Sequence, residues 1–474
     1  MGSLLVLVLS TCILAGLTWK LVREYLVKSP LDQIPGPRSS SWLAGNIPEF
    51  YDKTGKHYYQ FLQDYGSVMK LQGLLGDQHI YEEAPAFIAC VSLLPRDEAE
   101  IYLQKSFMNQ VKNGPKEIDI LHWMSRTTLE IIGQSGMGYS FDSLKEDAGS
   151  ADLHPYSRSV KRFGGLLSGT HTFFITSYIL PFAAKLNYPR LKRWIVECIP
   201  SQWVHDLKDI VDTIQKTAVD IYRTKQKAMI EGDDGKKDII SILVRANASA
   251  ADEDRLSDEE VFGQVASLTF AAMDTSSSAL SRIIYILGEH QEDLDYDQIT
   301  TLPFLDAVIR ETLRLHPPLS IAIRTARKDM ILPLSKPIKS TTGDHISEIF
   351  VPNGTSLFAS IYGANADPEI WGEDAQEWKP ERWLKDLPEK VEASQMPSIY
   401  SHLMTFLGGS RACIGFKFAQ LEFKIVLSIL LTSFRFTSGP QKILWTMPGI
   451  TSPVLEGGDI THPSLPMLVS PLDV

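Results

Sequence analysis

The chain has 474 residues, 44% of them hydrophobic, and a formal net charge of −11. That hydrophobic share supports a packed core and excludes general disorder, while the negative balance excludes a general nucleic-acid binder, which needs a basic surface to neutralise phosphates. Four cysteines (Cys12, Cys90, Cys198 and Cys413) make no disulfide framework in so long a chain; they fit a reducing compartment, where a special cysteine acts as ligand or nucleophile.

The stretch from Gly2 to Trp19 contains no charged residue and is dominated by Leu, Val and Ile. About 18 apolar residues can just span a bilayer as a helix. Lys20, Arg23, Lys28 and Arg38 come after the run and no basic residue precedes it, so the positive-inside rule leaves the bulk of the chain in the cytosol. Residues 1–22 are therefore expected to be a transmembrane anchor. The competing reading is a cleaved signal peptide, although the usual basic n-region is missing. Residues 23–38 form a basic linker that ends in a stiff hinge, because the prolines of Ile34-Pro35-Gly36-Pro37 exclude helix. No low-complexity linker or fixed-period repeat interrupts the remainder of the chain, and residues 39–474 read as one large domain.

Short strands are expected near Val68–Leu71, Ile349–Val351 and Ser356–Ser360, but helical signals dominate after about residue 95. One helix covers Asp119–Ile132. Asp206 to Met229 carries apolar residues at helical spacing with charges opposite. Ser257-Asp258-Glu259-Glu260 caps a long apolar run from Val261 through Leu287. Thr301 to Leu315 is closed by His316-Pro317-Pro318, and a last helix runs from near Cys413 through Leu431, apolar on nearly all sides. The fold class is mainly α with small β-sheets.

Three motifs carry chemistry. Ala271-Ala272-Met273-Asp274-Thr275-Ser276 is a polar island in an apolar helix, unfavourable unless hydrogen-bonded or functional; Thr275 can bond back to the Ala271 carbonyl. Glu311 and Arg314, three apart on one helix face, can pair, and Pro380-Glu381-Arg382-Trp383 supplies a second arginine. Last comes Phe406-Leu407-Gly408-Gly409-Ser410-Arg411-Ala412-Cys413-Ile414-Gly415, in which glycines permit unusual dihedrals and Cys413 meets the positive end of a helix that stabilises a thiolate.

In this order, over nearly the whole chain, these motifs resemble the cytochrome P450 family. The resemblance implies a P450 fold behind an N-terminal transmembrane helix, haem b as cofactor and Cys413 as the axial ligand of its iron. It gives Arg411 and Arg324 to the haem propionates, Phe406 to the proximal face, and Gly409 and Gly415 to close approach of the loop. Glu311, Arg314 and Arg382 become a buried cluster that locks the core, while Asp274 and Thr275 become the proton-delivery pair, with Ala272 where many members have glycine. The chain has no flavin or nicotinamide segment, so electrons are expected from a separate NADPH–cytochrome reductase.

A lipophilic substrate is expected in an apolar pocket drawn from Phe270, Ala271, Leu319–Ile323 and Ile450–Pro453. Local wording such as His122-Trp123-Met124-Ser125-Arg126 and Gly138-Tyr139-Ser140-Phe141 looks like a fungal branch of the family, which implies secondary metabolism, terpenoids in particular; the anchor and the basic residues after it lead to the expectation of a single-pass protein of the endoplasmic reticulum membrane with a cytosolic catalytic domain. Two stretches, 73–116 and 287–300, are shorter than the family pattern, and the first lacks the family's Trp-x-x-x-Arg helix. Two alternatives stand beside the monooxygenase: a haem isomerase or dehydratase, which the intact Asp274-Thr275 pair disfavours, and a non-catalytic or unstable shortened member.

Overall fold

The computed structural model describes residues 29–41, 44–50, 52, 56–65, 68–72, 78–82, 98–141, 144, 154–167, 183, 188–230, 238–249, 251, 255–290, 301–394, 396–447 and 449–472. The expected anchor, residues 1–22, lies outside these, as do Cys12 and Cys90. Among the described residues no helix is long and apolar enough to cross a membrane. The helices that position the site are α1 (Lys56–Tyr65), α2 (Glu98–Val111), α3 (Ile120–Ile131), α4 (Pro155–Leu167), α5 (Gln202–Ile230), α6 (Asp258–Glu289), α7 (Leu302–Leu315) and α8 (Phe416–Ser433). The strands are β1 (Val68–Gln72), β2 (Gln78–Glu82), β3 (Lys116–Asp119), β4 (Ile321–Thr325), β5 (Met330–Lys339), β6 (His345–Val351), β7 (Ser356–Ser360), β8 (Phe434–Ser438), β9 (Ile443–Thr446), β10 (Ser452–Leu455) and β11 (Pro466–Pro471). Helix predominates and the sheets are small, as the periodicity predicts.

The chain divides into two compact units. One holds Met1–Ala84, Gly169–Ile179 and Ile321–Gly363; the other holds Pro85–Ser168, Leu180–Ser320 and Ala364–Val474. No linker composition marks these divisions, because the chain passes between the units several times through ordinary globular sequence. The smaller unit is built on a sheet of order β1-β2-β7-β4, with β2 and β7 parallel and the other pairs antiparallel. Beside it the β5–β6 hairpin shifts register between Pro333 and Ile338, where proline cannot donate to the ladder. Leu31, Ile34, Ile349 and Val351 form its apolar cluster.

The larger unit is helical and centres on α6. A capping box opens this helix: the Ser257 hydroxyl accepts from the Glu260 amide at 3.4 Å, and the Glu260 carboxylate accepts from the Ser257 amide at 2.9 Å. Such a cap contributes about 1 kcal/mol, and the acidic first turn complements the helix dipole. The first turns bury one stripe, Val261, Val265 and Thr269; from Met273 onward the helix is buried nearly all round. Asp274 therefore sits where the helix enters the core. Around α6 pack α3, α4, α5, α7 and α8.

Helix α8 is shorter at its start than the sequence predicts, beginning at Phe416, and its burial is one-sided. Phe423, Val426, Leu427, Leu430 and Leu431 face the core at helical spacing, whereas Leu421 is exposed. The apolar character on other faces reflects partial cover rather than full burial. Each buried large aliphatic contributes about 1.5–3 kcal/mol. The small sheet β3-β11-β8 closes this unit, pairing Ile118 with Met467 and Leu468 with Thr437.

Candidate functional site

The cysteine loop is held from both ends. A single turn of tight helix, Met404–Phe406, leads in, and the Phe406 carbonyl accepts from the Cys413 amide at 2.9 Å, closing the loop on itself. The unusual dihedrals fall at Leu407 (φ 54°) and Gly409 (φ 67°). Gly415 has φ −93°, so its expected conformational role is not what it supplies. Its amide donates to the Cys413 sulfur, and a Cβ built there would stand 4.0 Å from that sulfur. Gly415 is also the N-cap of α8 and offers no side-chain cap, which leaves the first helical amides free beside the thiol. Burial pushes the Cys413 thiol up, and the Gly415 amide works against that shift.

Phe406 is buried, with its ring edge-on to Tyr400 at 5.3 Å and 6.3 Å from Phe416. Arg411 is exposed, and among the described residues it has neither an ion pair nor a hydrogen-bond partner. A guanidinium left free two residues before a half-buried thiol suits a dianionic macrocycle carrying carboxylates. The donor set therefore fits haem. Arg324 lies on β4 in the other unit, where its guanidinium donates to the Ile323 carbonyl at 2.9 Å.

The cluster expected from Glu311, Arg314 and Arg382 is present and is larger than the sequence suggests. Arg314 donates to both Glu311 carboxylate oxygens, at 2.8 and 2.9 Å, and to the carbonyls of Asn365, Ala375 and Glu377. Glu311 also accepts from the Lys379 amide and from the Trp383 indole at 2.9 Å. Arg382 is the looser member: its Nε is 3.5 Å from Glu311, and its firmer partner is Asp374 at 3.0 Å. Because each charged group is bonded, the cluster avoids the penalty of an unpaired buried charge.

From this cluster a short relay of hydrogen bonds reaches the cysteine loop. The Asn365 side chain accepts from the Met404 amide at 2.7 Å and donates to the Thr405 hydroxyl at 2.9 Å, which donates to the Leu313 carbonyl at 2.7 Å. Asn365 is not legible in the sequence, since nothing marks an asparagine far upstream of a cysteine as its support. The consequence is mechanical: α7 and the residues leading into the loop are pinned together.

On α6, the Thr275 hydroxyl donates to the Ala271 carbonyl at 2.7 Å, as expected, while the helix stays continuous. Thr275 and Ala271 share the open side of the helix; Asp274 is buried and turned away. Helix α8 meets this region through Phe418, which, like Phe270 and Ala272, packs against the buried cluster that contains Met273. One turn further, Glu422 of α8 is fully buried against Ser276. Burial raises its carboxyl to about 8, and Ser276 offsets this only in part. Neither carboxyl oxygen has a well-formed hydrogen bond among the described residues. A carboxylic acid buried between the two motif-bearing helices also escapes sequence reasoning, because one Glu in an apolar helix reads as a solvated position.

Of the expected pocket residues, Leu319 bridges to Ile450 in antiparallel fashion, and the Thr451 amide donates to the Pro318 carbonyl at 2.8 Å. The Ser278 hydroxyl of α6 donates to the Thr451 carbonyl, tying that turn to α6. Ile323 is exposed on β4. In α3 the Arg126 guanidinium lies 4.6 Å over the Trp123 ring, and both side chains are buried, so this pair is internal packing.

Comparison with known proteins agrees with this geometry. The cytochrome P450 family model matches residues 95–454. A cytochrome P450 monooxygenase of Postia placenta is 37% identical, with 98% of each chain covered. A ganoderic acid synthetase of Ganoderma lucidum is 33% identical, with 97% of each covered. The Postia alignment extends over 542 positions, more than this chain's 474 residues, so part of that relative has no counterpart here. In fold, the chain is similar to the solved structure of retinoic acid-bound cyanobacterial CYP120A1, with a TM-score of 0.60, 19% identity, and 93% of this chain and 100% of that one covered. The thiol loop, its support and these matches together show that the chain belongs to the cytochrome P450 family and is a haem b monooxygenase.

Proposed function

We propose that the protein inserts one oxygen atom from dioxygen into a lipophilic small molecule, with a fungal terpenoid as substrate class. The observation that carries this reading is the Cys413 sulfur facing the Gly415 amide in a loop whose Arg411 has no partner among the described residues. Bound through Cys413, haem b supplies the oxygen-activating redox chemistry. Arg411 would neutralise a propionate, Phe406 would shield the thiol from water, Gly409 would let the loop turn, and Gly415 would give its amide to the sulfur. Thr275 and Asp274 deliver protons, and the turn at Ile450–Thr451 with Leu319 and Phe270 offers an apolar wall to substrate. The ganoderic acid synthetase among the relatives supports a terpenoid. Electrons come from an NADPH-dependent reductase, and residues 1–22 anchor the chain in the endoplasmic reticulum membrane with its catalytic part in the cytosol.

The test is expression with a fungal reductase, then the reduced carbon-monoxide difference spectrum and product analysis on a terpenoid panel. A thiolate-type band with an NADPH- and dioxygen-dependent product carrying one added oxygen is expected. Folded protein without that band would instead support the non-catalytic, shortened member. A thiolate band with NADPH-independent conversion would support the isomerase or dehydratase.

A further inference from the structure

Between Ala271 and Tyr285, one face of α6 meets two different surroundings. Successive residues on a helix turn by about 100°, so Ala271, Thr275, Ser278, Arg282 and Tyr285 fall on a single stripe, each three or four residues from the last. At Ala271 and Thr275 this face is open. From Ser278 onward the β9–β10 hairpin covers it. The Ser278 hydroxyl donates to the Thr451 carbonyl in the turn of that hairpin. Further along, the Arg282 guanidinium stands 4.4 Å over the Trp445 ring of β9, and the Tyr285 ring lies 5.9 Å from the same indole. Arg282 is itself fixed by the His316 ring at the end of α7, 3.1 Å away. All of these residues belong to the larger unit.

The hairpin needs such anchors. β9 and β10 are two strands of four residues that pair only with each other, and an isolated two-stranded hairpin is marginally stable in water. The position of its turn is therefore set by what the turn is bonded to. Thr269, Thr275 and Ser277 bond back to carbonyls of α6, and Asp274 is committed to the Lys161 ammonium of α4 at 2.5 Å. Ser278, 2% exposed, is the hydroxyl among these whose own proton leaves the helix. It stands three residues, about 4.5 Å of helix rise, beyond Thr275. The turn that it holds is thus the end wall of the open face. Pro318 and Leu319 bind the same turn to the segment after α7. The Ser278 bond is the one that sets the turn against the helix carrying Thr275.

We propose that Ser278 is a positioning residue for substrate selectivity. By holding the Thr451 carbonyl it fixes how far the Ile450–Thr451 turn reaches along the open face of α6, and so what length of apolar molecule fits beside Thr275. This rests on reading that turn as a wall of the substrate pocket.

The experiment uses the full holoenzyme and a series of 1-alkylimidazoles from methyl to decyl, whose nitrogen binds the haem iron while the chain probes the pocket. Dissociation constants are read from the Soret shift, and hydrogen exchange of residues 443–455 is followed by mass spectrometry. Ser278→Ala should keep the thiolate-type carbon-monoxide band and exchange faster over 443–455. It should discriminate short from long chains roughly two- to tenfold less than wild type, the range that one net hydrogen bond spans. Unchanged discrimination in Ser278→Ala overturns the proposal, whether or not exchange is faster. So does altered discrimination without faster exchange, which would mean that Ser278 meets the probe directly. If Ser278→Ala does not fold, Ser278→Cys keeps the shape with a weaker donor; it must show both changes to a smaller extent, and wild-type values overturn the proposal. Ile450→Ala separates this failure from that of the pocket reading. Wild-type discrimination in Ile450→Ala means that the turn is no pocket wall. A change there with none in Ser278→Ala leaves the wall standing and removes only the role given to Ser278.

Discussion

The Thr275 hydroxyl commits its proton to its own helix, donating at 2.7 Å to the carbonyl of Ala271. That bond orients the oxygen lone pairs towards the open side and costs the helix nothing in continuity. Thr275→Ala should therefore fold and bind haem normally, yet lose product relative to NADPH consumed, by about 10²-fold if the hydroxyl acts in general acid catalysis. Thr275→Ser should retain most coupling. Unchanged stoichiometry in Thr275→Ala, read by peroxide release against product, would leave Thr275 a structural role only.

Glu311→Gln is expected to cost about 3–5 kcal/mol, because it leaves the fully buried Arg314 guanidinium without its countercharge. Through Asn365 and Thr405 the damage should reach the cysteine loop. Low haem content with a shifted urea midpoint is the expected outcome. Arg382→Met should be milder, since its bond to Glu311 is long and Asp374 is half-exposed.

Glu422 gives a pH dependence whose sign follows from burial. Its carboxyl is raised from 4.5 to about 8 in the folded chain, so the folded state holds a proton that the unfolded state gives up. The stability is fully present below about 4.5 and is lost as pH rises through 8, by on the order of 1 kcal/mol per pH unit between those limits. Glu422→Gln should flatten that slope and be the more stable protein at pH 8. Parallel urea midpoints for both proteins from about pH 5 to 8 would show that the carboxyl is not protonated in the fold.

Much of this architecture is readable from local sequence. Ser257 and Glu260 announce the start of α6, whereas α8 is apolar on nearly all sides in sequence, and its core face of Phe423, Val426, Leu427 and Leu430 emerges only in the structure. The Cys413 loop is legible because its residue types are constrained by chemistry at short range. Lys161, Asn365 and Glu422 are not legible for the opposite reason. Each acts on a group in a distant element, and a lysine in an amphipathic helix looks like a surface residue. The clue lies on the other side: a buried Asp274 demands a countercharge, although the sequence does not say from where. The strands β8 to β11 are four to six residues long, and β10 and β11 carry proline, so any alternation is brief.

Deleting residues 2–22 should move the protein from the microsomal membrane towards the soluble fraction, given the uncharged run and the basic residues after it. Intact protein found in the lumen with a trimmed N-terminus would favour the signal-peptide reading. Unaltered membrane association would mean that another surface holds the chain to lipid.

Cys413→Ala, compared with wild type in the reduced carbon-monoxide difference spectrum, bears most directly on the haem site. Sulfur donation produces the thiolate-specific band, so wild type should show it and Cys413→Ala should lose it, while circular dichroism confirms that the variant is folded. A Cys413→Ala protein that keeps the full thiolate band would contradict the assignment of Cys413 as the iron ligand, and with it the site built around Gly415 and Arg411.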